Sequence, residues 1–281
     1  MRNILKQGLR RLSGNRPERP RGSRSATVIA VAARKGGVGK TTTAVNLAAA
    51  FGRYYDRKVL LLDLDGQNNV TTALATQFRP TREGISAVFA ESPEVDLIDL
   101  VVPTDAPGLN VVGPAPSLNE LEHALAPRIG KEYILRDALE VARTHYDLII
   151  IDTPPAIGNL ALNALVAADQ VLIPTLAASL SIEGVNALID VLARVGANLN
   201  PKLDVLGILL TMYDARTTSL NDAMVAELEE AFGDILLPTR VPRNVDIGKA
   251  QHAGKNIFDF SPDSRGAAAY REVAEKVLAR L

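Results

Sequence analysis

The chain has 281 residues and no cysteine, which excludes disulfides, thiolate metal sites and iron–sulfur ligation and is compatible with a reducing cytoplasm. Apolar residues make up 47%, yet no apolar run approaches the roughly 18 residues that span a bilayer, so the sequence reads as soluble, with one domain or at most two. The formal net charge of −1 hides an asymmetry: residues 1–25 hold eight of the 31 basic side chains and one acid, Glu18, giving +7, which leaves 23 basic against 31 acidic residues and −8 for the body.

The first elements follow from that split. Ile4, Leu5, Leu9 and Leu12 share one face of a helical wheel and Arg2, Lys6 and Arg10 another, a short basic amphipathic segment. Residues 13–25, with Pro17, Pro20, Gly14, Gly22, serines and arginines, have a linker's composition. Residues 1–25 are therefore expected to be a flexible basic tail, and 26–281 a single folded domain.

From Thr27 onward, apolar runs of strand length alternate with stretches of helical period. That alternation predicts an α/β fold with a mostly parallel sheet and helices on both faces. Strands are expected at 27–33, 58–65, 109–114, 147–151, 170–175, 205–211 and 235–241. Helices are expected at 40–53, 131–144, 181–195 and 219–232, the last opened by Ser219 and stopped by Gly233.

The decisive segment is Lys35–Thr42, KGGVGKTT, where the first strand ends and the first long helix begins. Gly36, Gly37 and Gly39 let backbone amides approach a phosphate chain at a helix N-terminus, with Val38 and Thr42 completing the loop. Lys40 supplies a point charge for the β- and γ-phosphates, and the Thr41 hydroxyl is the expected Mg2+ ligand. Two further segments end strands in acids. LLLDLDGQNNVTT, 61–72, carries Asp63 and Asp65 two residues apart and so on one strand face. YDLIIIDTPP, 146–155, carries Asp152 at the carboxyl end of an apolar run, where ligands bind in open α/β sheets.

The ordinary P-loop pattern has a glycine where this chain has Arg34, and the compensating residue is Lys35. Two lysines bracketing GGVG resemble the deviant Walker A motif of the ParA/MinD family, on its ParA (Soj-like) partitioning branch. The resemblance extends through segments 172–184, 207–217, 241–257 and 261–270 in the same order. It implies that Lys35 reaches into a partner subunit's site, that Asp65 positions the attacking water, and that Asp152 holds Mg2+ through water. The sequence departs from the family at Gly66, usually proline, and at Asn68, usually glycine. By the same analogy adenine lies against Met212 and the Pro242–Asn244 loop.

The function implied is a slow, Mg2+-dependent ATPase that sandwiches two ATP molecules in a homodimer and binds nonspecific DNA in that state. A ParB-like or other activating partner would release it, and the location would be cytoplasmic and nucleoid-associated. The alternative is a MinD-like membrane-associated positioning ATPase, which would ordinarily carry a C-terminal amphipathic anchor; the resemblance assigns the closing REVAEKVLARL to the last packed helix instead, while the basic N-terminal segment suits a membrane surface. A nitrogenase-type reductase is excluded by the absence of cysteine. A dead-P-loop scaffold conflicts with intact Lys35, Lys40, Thr41, Asp65 and Asp152. For DNA, Asp246 stands where many ParA-like proteins have a basic residue; Arg216, Arg240 and Arg243 are candidates for a local patch, and the +7 tail for additional phosphate contacts.

Overall fold

The computed structural model describes residues 20–79, 83–90, 95–114, 118–178, 181–214 and 218–281. In chain order the named elements are β1 (Thr27–Val31), α1 (Lys40–Tyr55), β2 (Val59–Asp63), α2 (Asn69–Ala73), β3 (Val102–Pro103), β4 (Leu109–Val112), α3 (Leu118–Leu125), α4 (Ile134–Arg143), β5 (Leu148–Asp152), α5 (Asn159–Ala167), β6 (Gln170–Leu176), α6 (Ser181–Asn198), β7 (Asp204–Thr211), α7 (Thr218–Phe232), α8 (Val245–His252), α9 (Ile257–Phe260) and α10 (Arg265–Leu278). The strands form one seven-stranded sheet in the order β3-β4-β2-β5-β1-β6-β7. Every pairing is parallel except β3 with β4.

The central strands are apolar at consecutive positions because both faces are covered. Val28, Ala30, Ile149 and Ile151 point into a core shared with Leu135 and Leu139 of α4, Leu160 and Ala164 of α5, and Leu188 of α6. Their neighbours Ile29, Val31, Leu61 and Ile150 point the other way, onto Leu47, Ala48 and Phe51 of α1 and Tyr270, Val273 and Val277 of α10. The parallel connections then place the carboxyl ends of β1, β2 and β5 at one end of the sheet, which is where the sequence puts its phosphate loop and acids.

The expected strand at 235–241 is corrected. Residues 233–235 form a 3-10 turn, and the segment after it touches β7 only through isolated bridges, Ile208 with Leu236 and Tyr213 with Pro242. The amides of Leu237 and Val241 still donate to Ile208 and Leu210. The step from 237 to 241 thus spans only 208 to 210 on β7, so the register slips and no continuous ladder forms. Similarly, the helix expected at 131–144 begins as a 3-10 turn at Lys131–Tyr133 after Gly130, which takes φ 71°.

Residues 20–26, most of which the sequence counts with the tail, run against the corner before β5. The Gly22 amide donates to Thr144 Oγ1 at 2.9 Å and the Arg24 amide to the Thr144 carbonyl. The Arg24 side chain reaches Asp147 at 2.9 Å, and His145 Nε2 lies 3.0 Å from the Pro20 carbonyl oxygen. Residues 1–19, with the amphipathic segment, lie outside the described residues.

One glycine inside α1 is required by packing. A Cβ at Gly52 would stand 1.9 Å from the Pro107 carbonyl oxygen, whereas at Gly196 in α6 nothing lies within 4 Å. Alanine at a helix-interior glycine is otherwise worth about 1 kcal/mol in its favour. Gly52→Ala should therefore destabilise by roughly 1–3 kcal/mol through backbone displacement, while Gly196→Ala should be neutral or stabilise by up to about 1 kcal/mol. Urea denaturation of the two variants checks the opposite signs.

Candidate nucleotide site

The loop between β1 and α1 owes its shape to two left-handed glycines, Gly37 at φ 74° and Gly39 at φ 84°. A Cβ at Gly36 or Gly37 would meet no atom within 4 Å, so these positions leave open backbone facing solvent. The Val38 carbonyl is held from beneath by the Thr211 hydroxyl at 2.8 Å, which ties the loop to the end of β7. Lys40 opens α1 and is buried; its Nζ donates to the Lys35 carbonyl at 3.3 Å. Burial lowers its pKa, opposed by the nearby charges of Asp152 and Asp65. Lys35 by contrast is exposed on the loop.

Asp152 ends β5, pairs in register with both Val31 of β1 and Asp63 of β2, and is 0% exposed. Its Oδ2 accepts the Thr41 hydroxyl at 2.6 Å, while its Oδ1 is buried without a hydrogen-bond partner. Burial pushes its pKa up to about 7; the Thr41 bond opposes this, the Asp65 charge adds to it, and Lys40 opposes it. A buried carboxylate with an orphaned oxygen beside a hydroxyl is a donor set that fits Mg2+. Among the described residues no group of three or more acids and histidines could hold a metal alone. Mg2+ needs none, since it binds through one or two protein oxygens plus phosphates and water.

The acids of β2 divide in a way the sequence did not show. Asp63 is the last residue of the strand and fully buried; its Oδ1 accepts the Asp65 amide at 2.9 Å and its Oδ2 the Val70 amide at 3.1 Å. One carboxylate thus closes the whole turn from 65 to 70. Its pKa is raised well above the usual carboxylate range, first by burial and then by Asp152. Asp65 lies beyond the strand, nearly buried, with Oδ1 accepting the Gln67 amide at 3.1 Å. Asn68 takes φ 58°, a left-handed conformation that asparagine tolerates nearly as glycine does, so the departure from the family at this position preserves a glycine-like turn.

Met212 also has positive φ, 51°, is 46% exposed, and its Cε stands 3.7 Å from the Cβ direction of Gly39, so it flanks the phosphate loop. Pro242 bridges Tyr213, and the Arg243 amide donates to the Tyr213 carbonyl, bringing the 242–244 loop beside Met212. Asn244 Oδ1 is occupied as the N-cap of α8, accepting the Asp246 amide at 2.7 Å. Of the candidate basic patch, Arg240 pairs with Glu229 at 3.0 Å and stacks over the Tyr213 ring, and Arg243 is exposed. Arg216 lies outside the described residues.

Asp63 and Thr211 are the residues that sequence reasoning left without a role. A strand-end acid two before another reads only as a shared face, and a threonine ending an apolar run carries no local signal at all.

The geometry has close relatives. A family model described as an AAA domain matches residues 26–205. The chain is 42% identical over 253 residues to the chromosome-partitioning ATPase Soj of Thermus thermophilus, covering 90% of this chain and 96% of that protein. It is 38% identical over 252 residues to the sporulation initiation inhibitor protein Soj of Bacillus subtilis, covering 90% and 98%. Among solved structures, a cobyrinic acid a,c-diamide synthase from Mycobacterium smegmatis with bound ADP and magnesium superposes with TM-score 0.74 at 32% identity, covering 90% of this chain and 94% of that one. With the two-lysine loop, the Thr41–Asp152 pair and the β-strand order in place, the chain belongs to the ParA/MinD family, on the side of its Soj members.

Proposed function

We propose that this chain is a partition or positioning ATPase, which hydrolyses ATP between two copies of itself, binds nonspecific DNA as the ATP dimer, and is released when a partner protein stimulates hydrolysis. The observation that carries the reading is the convergence of the phosphate loop, Thr41, Asp152 and Asp65 at one end of the sheet. The Soj relatives, one of them described as a chromosome-partitioning ATPase, support the partition role. Cytoplasmic, nucleoid-associated action is part of the same proposal. Among the described residues no helix is long and apolar enough to cross a membrane.

In this reading the amides of Gly36–Thr42 cradle the phosphates, and Lys40 neutralises the β- and γ-oxygens. Thr41 and Asp152 hold Mg2+, which supplies charge neutralisation of the phosphate oxygens when bound. Asp65, fixed by the turn that Asp63 closes, orients the attacking water in line with the γ-phosphate. The burial of Lys40 raises the worth of its charge, because a desolvated cation interacts more strongly than a hydrated one. Lys35, exposed on the loop, would act across the dimer interface. Met212, Pro242 and Asn244 border the space for the base.

Lys40→Ala should weaken ATP binding by at least about tenfold, since a charged hydrogen bond is worth roughly 1.5–3 kcal/mol. Asp65→Ala should keep ATP affinity and lose turnover, trapping a dimer visible by size-exclusion chromatography with ATP and Mg2+. An Asp65→Ala chain that turns over at the wild-type rate would remove Asp65 from the mechanism.

Mixing Lys35→Ala with Asp65→Ala chains separates cis from trans action. In a sandwich, each mixed dimer has one site with an intact Asp65 and the partner's intact Lys35, so activity should recover on mixing. No recovery would sink the shared-site model.

The tail is proposed to add DNA contacts, because the body is −8 and Asp246 sits in the α8 first turn beside Lys249. Arg21 and Arg24 are engaged by Glu140 and Asp147, so the clean deletion is 1–19, which removes six basic residues and one acid. It should flatten the dependence of log affinity on log salt by several units, at about 0.9 per lost phosphate contact, with ATP-dependent dimerisation retained. An unchanged slope would eliminate the tail as a DNA element, and binding to anionic liposomes by the full chain alone would favour the membrane alternative.

A further inference from the structure

We propose that Glu122, on α3, is a positioning residue that clamps the far end of the loop Thr153–Gly158 and thereby sets the turnover number without contributing to nucleotide affinity. The inference rests on the reading that Asp152 serves ATP hydrolysis.

The loop is six residues long and leaves directly from Asp152. Its near end is fixed by the Thr153 hydroxyl, which donates to the Val31 carbonyl at 2.9 Å. Its far end is the first turn of α5, and that helix brings no means of holding itself there: its first turn has no acid, and Gly158 at the cap has no side chain. The missing acceptor comes from another element. Glu122 Oε2 accepts the Asn159 amide at 2.7 Å and Oε1 the Leu160 amide at 2.9 Å, while the Glu122 carbonyl accepts Asn159 Nδ2 at 2.8 Å.

A carboxylate taking two amides at a helix start is a charge-assisted, dipole-aligned contact, stronger than a neutral cap. The approach is close: a Cβ at Gly158 would stand 2.6 Å from Glu122 Oε2 and would push the carboxylate out of this seat. Behind it, the fully buried Asn163 locks the same turn, accepting the Leu135 amide and donating to the carbonyls of Lys131 and Asn159. With both ends tied, the position of Thr153–Gly158 relative to Asp152 follows from the seat of α3. Turnover is sensitive to displacements of about 1 Å near reacting groups, while ground-state phosphate binding to the loop of Gly36–Thr42 is not routed through this clamp.

The test uses the full chain with ATP and Mg2+. Glu122→Gln keeps the shape and loses the charge and one acceptor; Glu122→Ala loses the clamp entirely. The expected result is a fall in kcat of about tenfold or more for Glu122→Ala and a smaller fall for Glu122→Gln, with affinity for a non-hydrolysable ATP analogue within about twofold of wild type. Amide hydrogen exchange at Asn159 and Leu160 should accelerate in the same order. Unchanged kcat in both variants would overturn the proposal. So would a parallel loss of kcat, analogue affinity and melting temperature in Glu122→Gln, which marks a purely structural residue. A wild-type chain without hydrolysis would sink the ATPase reading instead, and the clamp would then be decided by exchange alone: fast exchange at Asn159 and Leu160 in the wild type overturns it.

Discussion

Two carboxylates, Asp63 and Asp152, face each other as register partners at the ends of adjacent strands, both fully buried. Burial raises both pKa values first; the Asp152 charge then adds to the rise at Asp63, and the Asp65 charge to the rise at Asp152. The surrounding structure is organised to contain this conflict. Asp63 is satisfied by two amides and becomes the fastening of a turn. Asp152 has the Thr41 hydroxyl for one oxygen and nothing for the other. A site with one acid resolved and one unresolved is locally frustrated, and a bound divalent cation would relieve that frustration while stabilising the folded chain.

The helix that begins at this site carries its influence to the rest of the fold. Asn46, one turn beyond Thr42 in α1, donates to the Thr42 carbonyl and accepts the Ile257 amide at 2.8 Å, joining the phosphate loop to the C-terminal helices. Thr43 meets Tyr270 in the core between α1 and α10, where burial pushes the phenol up to about 12. At the other end of α1, Arg53 pairs with Asp259, which also accepts from Gln77, and Gln77 Oε1 in turn accepts from Asn256. The first helix, Gln77 and the C-terminal segment thus share one part-buried polar network. Such networks specify a unique arrangement when every member is satisfied.

Much of this was legible in the sequence, for identifiable reasons. Alternating apolar runs fixed six of the strands, because buried parallel strands must be apolar on both faces. Lys35–Thr42 and Asp152 announced themselves through local motifs whose letters and position coincide. What escaped detection was non-local or a matter of backbone conformation. The run 235–241 reads as a strand by hydrophobicity, but its register slips against β7 between Leu237 and Val241. β3 has two residues and exists only through antiparallel pairing with β4. Glu122 looks like any acid on an amphipathic helix; only the fold brings it to amides 37 and 38 residues downstream. Asn68 substitutes for glycine by a conformational tolerance that no periodicity encodes.

The stitching of residues 20–26 along Arg143–Asp147 has a geometric consequence. Ala26 and Thr27 enter β1 at the end of the sheet where the strands begin, while Asp152 and the phosphate loop lie where they finish. The chain before residue 20 therefore departs from the pole opposite the nucleotide. In two copies apposed through their nucleotide faces, as proposed, Pro20 of each copy would stand on the side of its sheet away from the shared seam, so whatever precedes residue 20 is attached outside that seam.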